Sequence, residues 1–157
     1  MNDARLLRGL RRALVEVAEP ERAAAMRAYA KSAMPFLGVG ASPLRRVCRE
    51  VFADVDFPSA AAFRRAALSL WRGARYREER YCAVELTGHR RFNRFQDLAA
   101  LPLYEEMIVT GAWWDYVDAI ASHRGPIPVI RFPNALSLRL PFRTSSIAWR
   151  TLSARPG

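Results

Sequence analysis

The chain has 157 residues, a length that one domain with a real core can fill. With 51% hydrophobic and 25% charged residues it is no disordered polyelectrolyte, and no apolar run approaches the ~20 residues needed to span a bilayer. The formal net charge of +10 favours an anionic partner, nucleic acid before an acidic membrane surface.

From Asp3 to about Ala18, Leu6, Leu7, Leu10, Leu14 and Val17 recur at spacings of three and four, with Arg5, Arg8, Arg11, Arg12 and Glu16 between them. That pattern predicts an amphipathic helix. The residues before it do not form the charged-then-apolar run of a signal peptide, so a cytoplasmic protein is expected. Pro20 restarts the chain and predicts an alanine-rich helix from Glu21 to Met34. Met34-Pro35-Phe36-Leu37-Gly38-Val39-Gly40 breaks it. Ser42-Pro43, a cap followed by a first-turn proline, predicts a third helix to about Ala53, and Pro58-Ser59 a fourth to Trp71 or Arg72. Tyr76 to His89 reads as a fifth, Asp97 to Thr110 as a sixth with Pro102 near its start, and Ala112 to about His123 as a seventh.

No stretch alternates with period two, so the expected class is all-α. Successive starts recur at an irregular period: Pro20 to Pro58 is 38 residues, Pro58 to Asp97 is 39, Pro43 to Tyr76 is 33 and Tyr76 to Trp113 is 37. A period of helix pairs near that length is what HEAT-like repeats of about 40–47 residues show, slightly compressed. An orthogonal bundle would give a similar series. In a stack of pairs, the arginine groups Arg45, Arg46, Arg49; Arg64, Arg65; Arg72, Arg75, Arg77, Arg80; and Arg90, Arg91, Arg94 suit phosphate, although about half of such charges are ordinarily solvated faces. Cys48 and Cys82, 34 apart and inside helical patterns, argue against a disulfide framework or a zinc site and for small buried side chains. His89 and His123 have no ligand spacing around them and read as surface or DNA-proximal residues.

The chain changes character near residue 125. Residues 1–118 hold 19 basic and 15 acidic residues (19 − 15 = +4), whereas residues 119–157 hold six arginines and no carboxylate (+6). Five of the ten prolines lie between Pro126 and Pro156. Two domains of unlike material follow: a helical body at 1–124 and a Pro/Arg/Ser-rich tail at 125–157, expected either as a disordered basic segment or as the product of a truncation or shifted reading frame.

Trp113-Trp114-Asp115-Tyr116-Val117-Asp118 concentrates two tryptophans and two carboxylates in six residues. On a helix Trp114 and Asp118 share one face, four apart, while Trp113, Val117 and Ile120 form a packing stripe. The plainer reading makes Asp115 a first-turn partner of the helix dipole and both tryptophans core.

Taken in order, Tyr29-Ala30-Lys31, Pro35-Phe36-Leu37-Gly38-Val39, Pro43-Leu44-Arg45-Arg46, Arg80-Tyr81-Cys82-Ala83-Val84-Glu85-Leu86 and Trp113-Trp114-Asp115-x-Val117-Asp118 resemble the DNA alkylation repair family, the HEAT-like-repeat DNA glycosylases, over roughly residues 3–124. The resemblance implies an α-solenoid of stacked antiparallel helix pairs with a concave basic face. It implies hydrolysis of the N-glycosidic bond of cationic N3- or N7-alkylated purines in duplex DNA, without base flipping and without metal or organic cofactor. Residue by residue, it makes Asp118 the catalytic carboxylate, Trp114 the aromatic beside the lesion and Tyr29 an aromatic near the lesion strand; Lys31, Arg45, Arg46 and Trp113 are expected to join Tyr29 in DNA binding. The expected protein is a nucleoid-associated monomer with no membrane contact. Family members usually continue for about two further repeats with a Trp and an Arg-Arg segment, of which Trp149-Arg150-Thr151 is a faint echo. A non-catalytic DNA-binding relative is therefore the competing expectation, and a protein–protein scaffold a third.

Overall fold

Leu6, Leu10 and Leu14 bury one stripe of α1 (Asp3–Glu16), leaving Arg5, Arg8 and Arg12 in solvent. This is the first element of a computed structural model that describes residues 3–121. There follow α2 (Pro20–Tyr29), α3 (Ala41–Ala53), α4 (Ala60–Arg72), α5 (Arg77–Gly88), two short 3-10 turns (Arg90–Phe95 and Leu98–Ala100), α6 (Leu101–Gly111) and α7 (Trp114–Ala121). The protein is all-α, and no described helix is long and apolar enough to cross a membrane.

The helices are packed as pairs in two layers. In one, α3 and α7 both lie against α5; in the other, α4 lies against α6, with α4 on α5 and α6 on α7 across the layers. α1 closes the near end against α3 and α4. Starts repeat accordingly: Pro20, Ala60 and Leu101 are 40 and 41 apart, Ala41, Arg77 and Trp114 are 36 and 37 apart. These spacings are near those of the sequence series, and from α3 to α7 each helix buries its apolar face against its neighbours, whereas α2 buries no residue. The core is continuous from Leu44, Val47 and Phe52 through Phe63, Leu70 and Trp71 to Leu103, Met107 and Tyr116. Phe57, Phe63, Phe92 and Phe95 meet ring against ring at 5.1–5.7 Å.

Several boundaries differ from the sequence reading for local reasons. α2 stops at Tyr29, five residues short of Met34, because Lys31 takes a left-handed φ of 44°. Its amide donates to Ala28 O (3.1 Å) and that of Ser32 to Arg27 O (3.1 Å), the paired bonds of a Schellman ending. α3 begins one residue before Ser42, with Gly40 as its cap and no side-chain capping bond. α4 is capped as expected, Ser59 Oγ accepting from the Ala62 amide at 3.2 Å. The sixth expected helix is divided: residues 98–100 form a 3-10 turn, and α6 starts at Leu101 with Pro102 in its first turn. The seventh starts at Trp114 because Ala112, also left-handed (φ 45°), ends α6. The expected tail at 125–157, His123 and Trp149-Arg150-Thr151 lie outside the described residues.

Candidate functional site

The last helix sorts its two carboxylates into opposite environments. At about 100° per residue, Asp118 falls between Trp114 and Asp115 around the axis of α7. Asp115, Tyr116 and Ile120 are buried, whereas Trp114 (40% exposed) and Asp118 face solvent. The pair that the sequence placed on one face is thus on the accessible face. Trp113 is half-buried, packed against the core with its indole nitrogen enclosed. Asp115 is no mere first-turn dipole partner.

Its carboxylate is held by Arg77 at the first turn of α5, Nη2 donating to Oδ1 at 2.8 Å and to Oδ2 at 3.0 Å. The Tyr81 hydroxyl donates to Oδ2, and the Tyr116 amide donates to Oδ1 at 2.8 Å. Burial, then the neighbouring Asp115 charge, push the Tyr81 phenol far up, so it remains a donor at any ordinary pH. Arg77 is 5% exposed and directs Nε to the Tyr81 hydroxyl (2.9 Å) and Nη1 to Ser32 Oγ (3.2 Å), with its plane 4.4 Å from the Tyr116 ring centroid. An ion pair this enclosed is weak evidence of net stability, but removing one partner strands a buried charge and costs about 3–5 kcal/mol.

The next two residues of α5 are anchors as well. Glu78, fully buried, accepts from the amides of Leu37 (3.0 Å), Gly38 (2.9 Å) and Val39 (3.1 Å), holding the turn between α2 and α3. Burial pushes its carboxyl above the ordinary value and those amides pull it back, with burial the larger effect. Gly38 sits at φ 90°, and a Cβ there would come within 1.9 Å of Glu19 O, so the turn requires glycine. Glu79 is gripped by Arg11 from α1 and accepts from the Arg75 amide. Sequence reasoning missed this Arg77-Glu78-Glu79 keystone and placed Arg77 among the phosphate-binding arginines. A signal was present: Cys82, Ala83, Val84 and Leu86 are apolar all round α5, marking a helix enclosed on several sides.

The other arginine groups divide by partner. Arg64 pairs with Asp97, Arg65 with Asp3, Arg72 with Glu106 and Arg94 with Asp56. Arg80 lies over the Trp71 ring, and Arg91 donates to the carbonyls of Phe52 and Ala53. Arg45, Arg46 and Arg49 on α3 are exposed and enter no salt bridge among the described residues. The charges of Arg45 and Arg49 reach Glu85 on α5, whose carboxyl burial raises and these arginines lower. Tyr29 (58% exposed) and Lys31 stand at the open end of α2.

His89, expected at the surface or near DNA, is half-buried and packs against Phe52 (5.9 Å) and Phe92 (5.4 Å); burial, then Arg91, lower its pKa. Cys48 and Cys82 are free and buried, and a contact with the Cys48 thiol, with burial, raises Cys82 well above its ordinary value. They are distant in sequence and adjacent across the α3–α5 packing. No group of His, Cys, Asp or Glu among the described residues could hold a metal ion.

The family described as DNA alkylation repair enzyme matches residues 10–151, nearly the whole chain. The chain belongs to that family. The match takes in the whole of α2 to α7 and runs past residue 124, where the sequence motifs stop. Membership gives this DNA alkylation repair enzyme its broad role, an enzymatic one in repairing alkylated DNA. No curated protein matches the chain.

Proposed function

We propose that this family member is a monofunctional DNA glycosylase that hydrolyses the N-glycosidic bond of cationic N3- or N7-alkylpurines in duplex DNA without flipping the base. The observation that carries the reading is the exposure of Trp114 and Asp118 together, on the face of α7 left open when Asp115 is buried in its ion pair. An alkylated purine leaves as a neutral base, taking the electron pair of its bond to the sugar, so the chemical task is to stabilise the positive charge that develops on the deoxyribose. The Asp118 carboxylate suits that task and can orient the water that adds to the sugar carbon and sheds a proton to solvent. The indole face of Trp114 favours the same cation by about 0.5–2 kcal/mol. Tyr29 and Lys31 at the end of α2, with Arg45 and Arg46 on α3, would contact the DNA strand, and Trp113, wedged against the core, would back Trp114. α3 and α7 flank α5 in one layer, so Arg45, Arg46, Trp114 and Asp118 stand on helices that share a neighbour. The working protein would be a cytoplasmic, nucleoid-associated monomer.

The test is release of free base from an N7-methylguanine duplex. Wild type should release it, and Asp118→Asn should abolish release while keeping most of the DNA affinity. Equal release by the two proteins would take Asp118 out of the reaction. The second reading, a DNA-binding relative without catalysis, draws on the same exposure: water screens an open carboxylate unless the bound duplex displaces it. It predicts salt-dependent affinity with no base released.

A further inference from the structure

We infer that Arg77 is a positioning residue that sets the two flanks of the lesion site relative to one another. The inference rests on the glycosylase reading for the identity of those flanks, and on the hydrogen bonds of one guanidinium for their connection.

α7 is eight residues long, and of its three buried residues only Asp115 is polar. Tyr116 packs on Trp71 and Tyr81 at 5.0 and 5.2 Å between ring centroids. Such apolar contacts hold the helix down but tolerate rotation about its axis, whereas Arg77, with Nε on Tyr81, Nη1 on Ser32 and Nη2 on both Asp115 oxygens, has its plane fixed and so gives the carboxylate one place to sit. Asp115 lies about 60° from Asp118 around that axis, on the side away from Trp114. Turning α7 away from Arg77 would carry Trp114 and Asp118 with it.

The same guanidinium reaches the other flank. Nη1 donates to Ser32 Oγ at 3.2 Å, and the Arg77 amide donates to Pro35 O at 3.0 Å. Ser32 Oγ in turn accepts from the Met34 amide at 3.1 Å, and the Ser32 amide closes the Schellman ending that exposes Tyr29 and Lys31. Ser32 follows Lys31 directly, and Asp115 follows Trp114 directly. A chain from Ser32 through Arg77 to Asp115 therefore links the residue beside each pair of proposed DNA-facing groups. Tyr81 completes the plane by accepting from Arg77 Nε and donating to Asp115. Only a planar fork can meet Ser32, Tyr81 and Asp115 together; an ammonium in the same place keeps the charge and loses the geometry.

The test measures base release, DNA affinity and thermal stability in three proteins: wild type, Arg77→Lys, and the charge-free pair Arg77→Met/Asp115→Leu. The last removes both buried charges at once, a replacement that ordinarily leaves folding intact. Both variants should release base about 10- to 100-fold more slowly at saturating substrate, the scale of an ångström-level misplacement, with DNA affinity lowered no further than by Trp114→Ala. The charge-free pair should melt at or above the wild-type temperature. A folded charge-free pair with wild-type kcat would overturn the inference, because a purely structural role is satisfied once the fold is kept. In parallel, a binding cycle of Trp114→Ala with Arg77→Lys on methylated duplex should be non-additive, since Arg77→Lys already displaces Trp114. Additive losses would also overturn it. A wild type that binds but releases nothing removes the glycosylase reading and leaves the binding cycle to decide the role of Arg77.

Discussion

Lys31 combines a strained backbone with a proposed role on DNA, and the two can be separated. A left-handed φ costs a non-glycine residue about 1–2 kcal/mol, while glycine gives back part of that through the larger freedom of its unfolded chain. Lys31→Gly should therefore stabilise the protein by about 0.5–1 kcal/mol in chemical denaturation. The same substitution should weaken duplex binding, because it deletes a cation that sits exposed at the end of α2. Lys31→Ala should weaken binding equally without stabilising. Tighter binding by the glycine variant would exclude Lys31 from the interface. The two aspartates of the Trp-Trp-Asp run show the limit of reading at this scale. Helical spacing alone put Trp114 and Asp118 on one face, and the structure finds both open to solvent there. It could not say that Asp115 would be sealed against an arginine 38 residues earlier, because nothing local to either residue encodes that meeting.

α5 gathers the polar anchors at its first turn, with Arg77 holding α7, Glu78 holding the turn before α3, and Glu79 holding α1. Glu78 has a consequence for pH. Its folded carboxyl titrates above the ordinary value of 4.5, so the folded state retains the proton longer than the unfolded chain does. Stability from this group is fully present below that ordinary value and is lost as pH rises through the folded value. Glu78→Gln, which does not titrate, should remove the dependence. The stability of wild type minus that of Glu78→Gln, from urea melts between about pH 4 and pH 7, should decline with rising pH. A difference that grows instead would mean that the three amides outweigh burial. Helices α1, α3, α4 and α5 were legible from apolar spacing and from proline or serine starts. The early stop of α2 and the start of α7 at Trp114 were not, since Lys31 and Ala112 are left-handed without being glycine.

Over the whole molecule, the structure separates arginines that hold the fold from those free to hold something else. Phosphate contacts release counterions, and each one lost should lower the slope of log affinity against log salt by about 0.9. Arg45→Ala, Arg46→Ala and Arg49→Ala should each approach that change, evenly across duplex sequences, because phosphates carry no base identity. Arg77→Lys should leave the slope unchanged, its charge being enclosed and paired. Unchanged slopes for all three α3 variants would place the DNA elsewhere on the protein.

Chain order and composition were enough to determine the all-helical class, the period of the paired helices, the family, and the face that Trp114 shares with Asp118. Those properties follow from residue spacing along a single helix or from motifs that recur in order, and both are written locally. Which arginines are free, which aspartate is enclosed, and where two distant cysteines meet were decided only by tertiary packing. A charge or a thiol acquires those roles from whatever the fold brings to within about 3–4 Å of it, and helices far apart in the sequence supply most of those neighbours here.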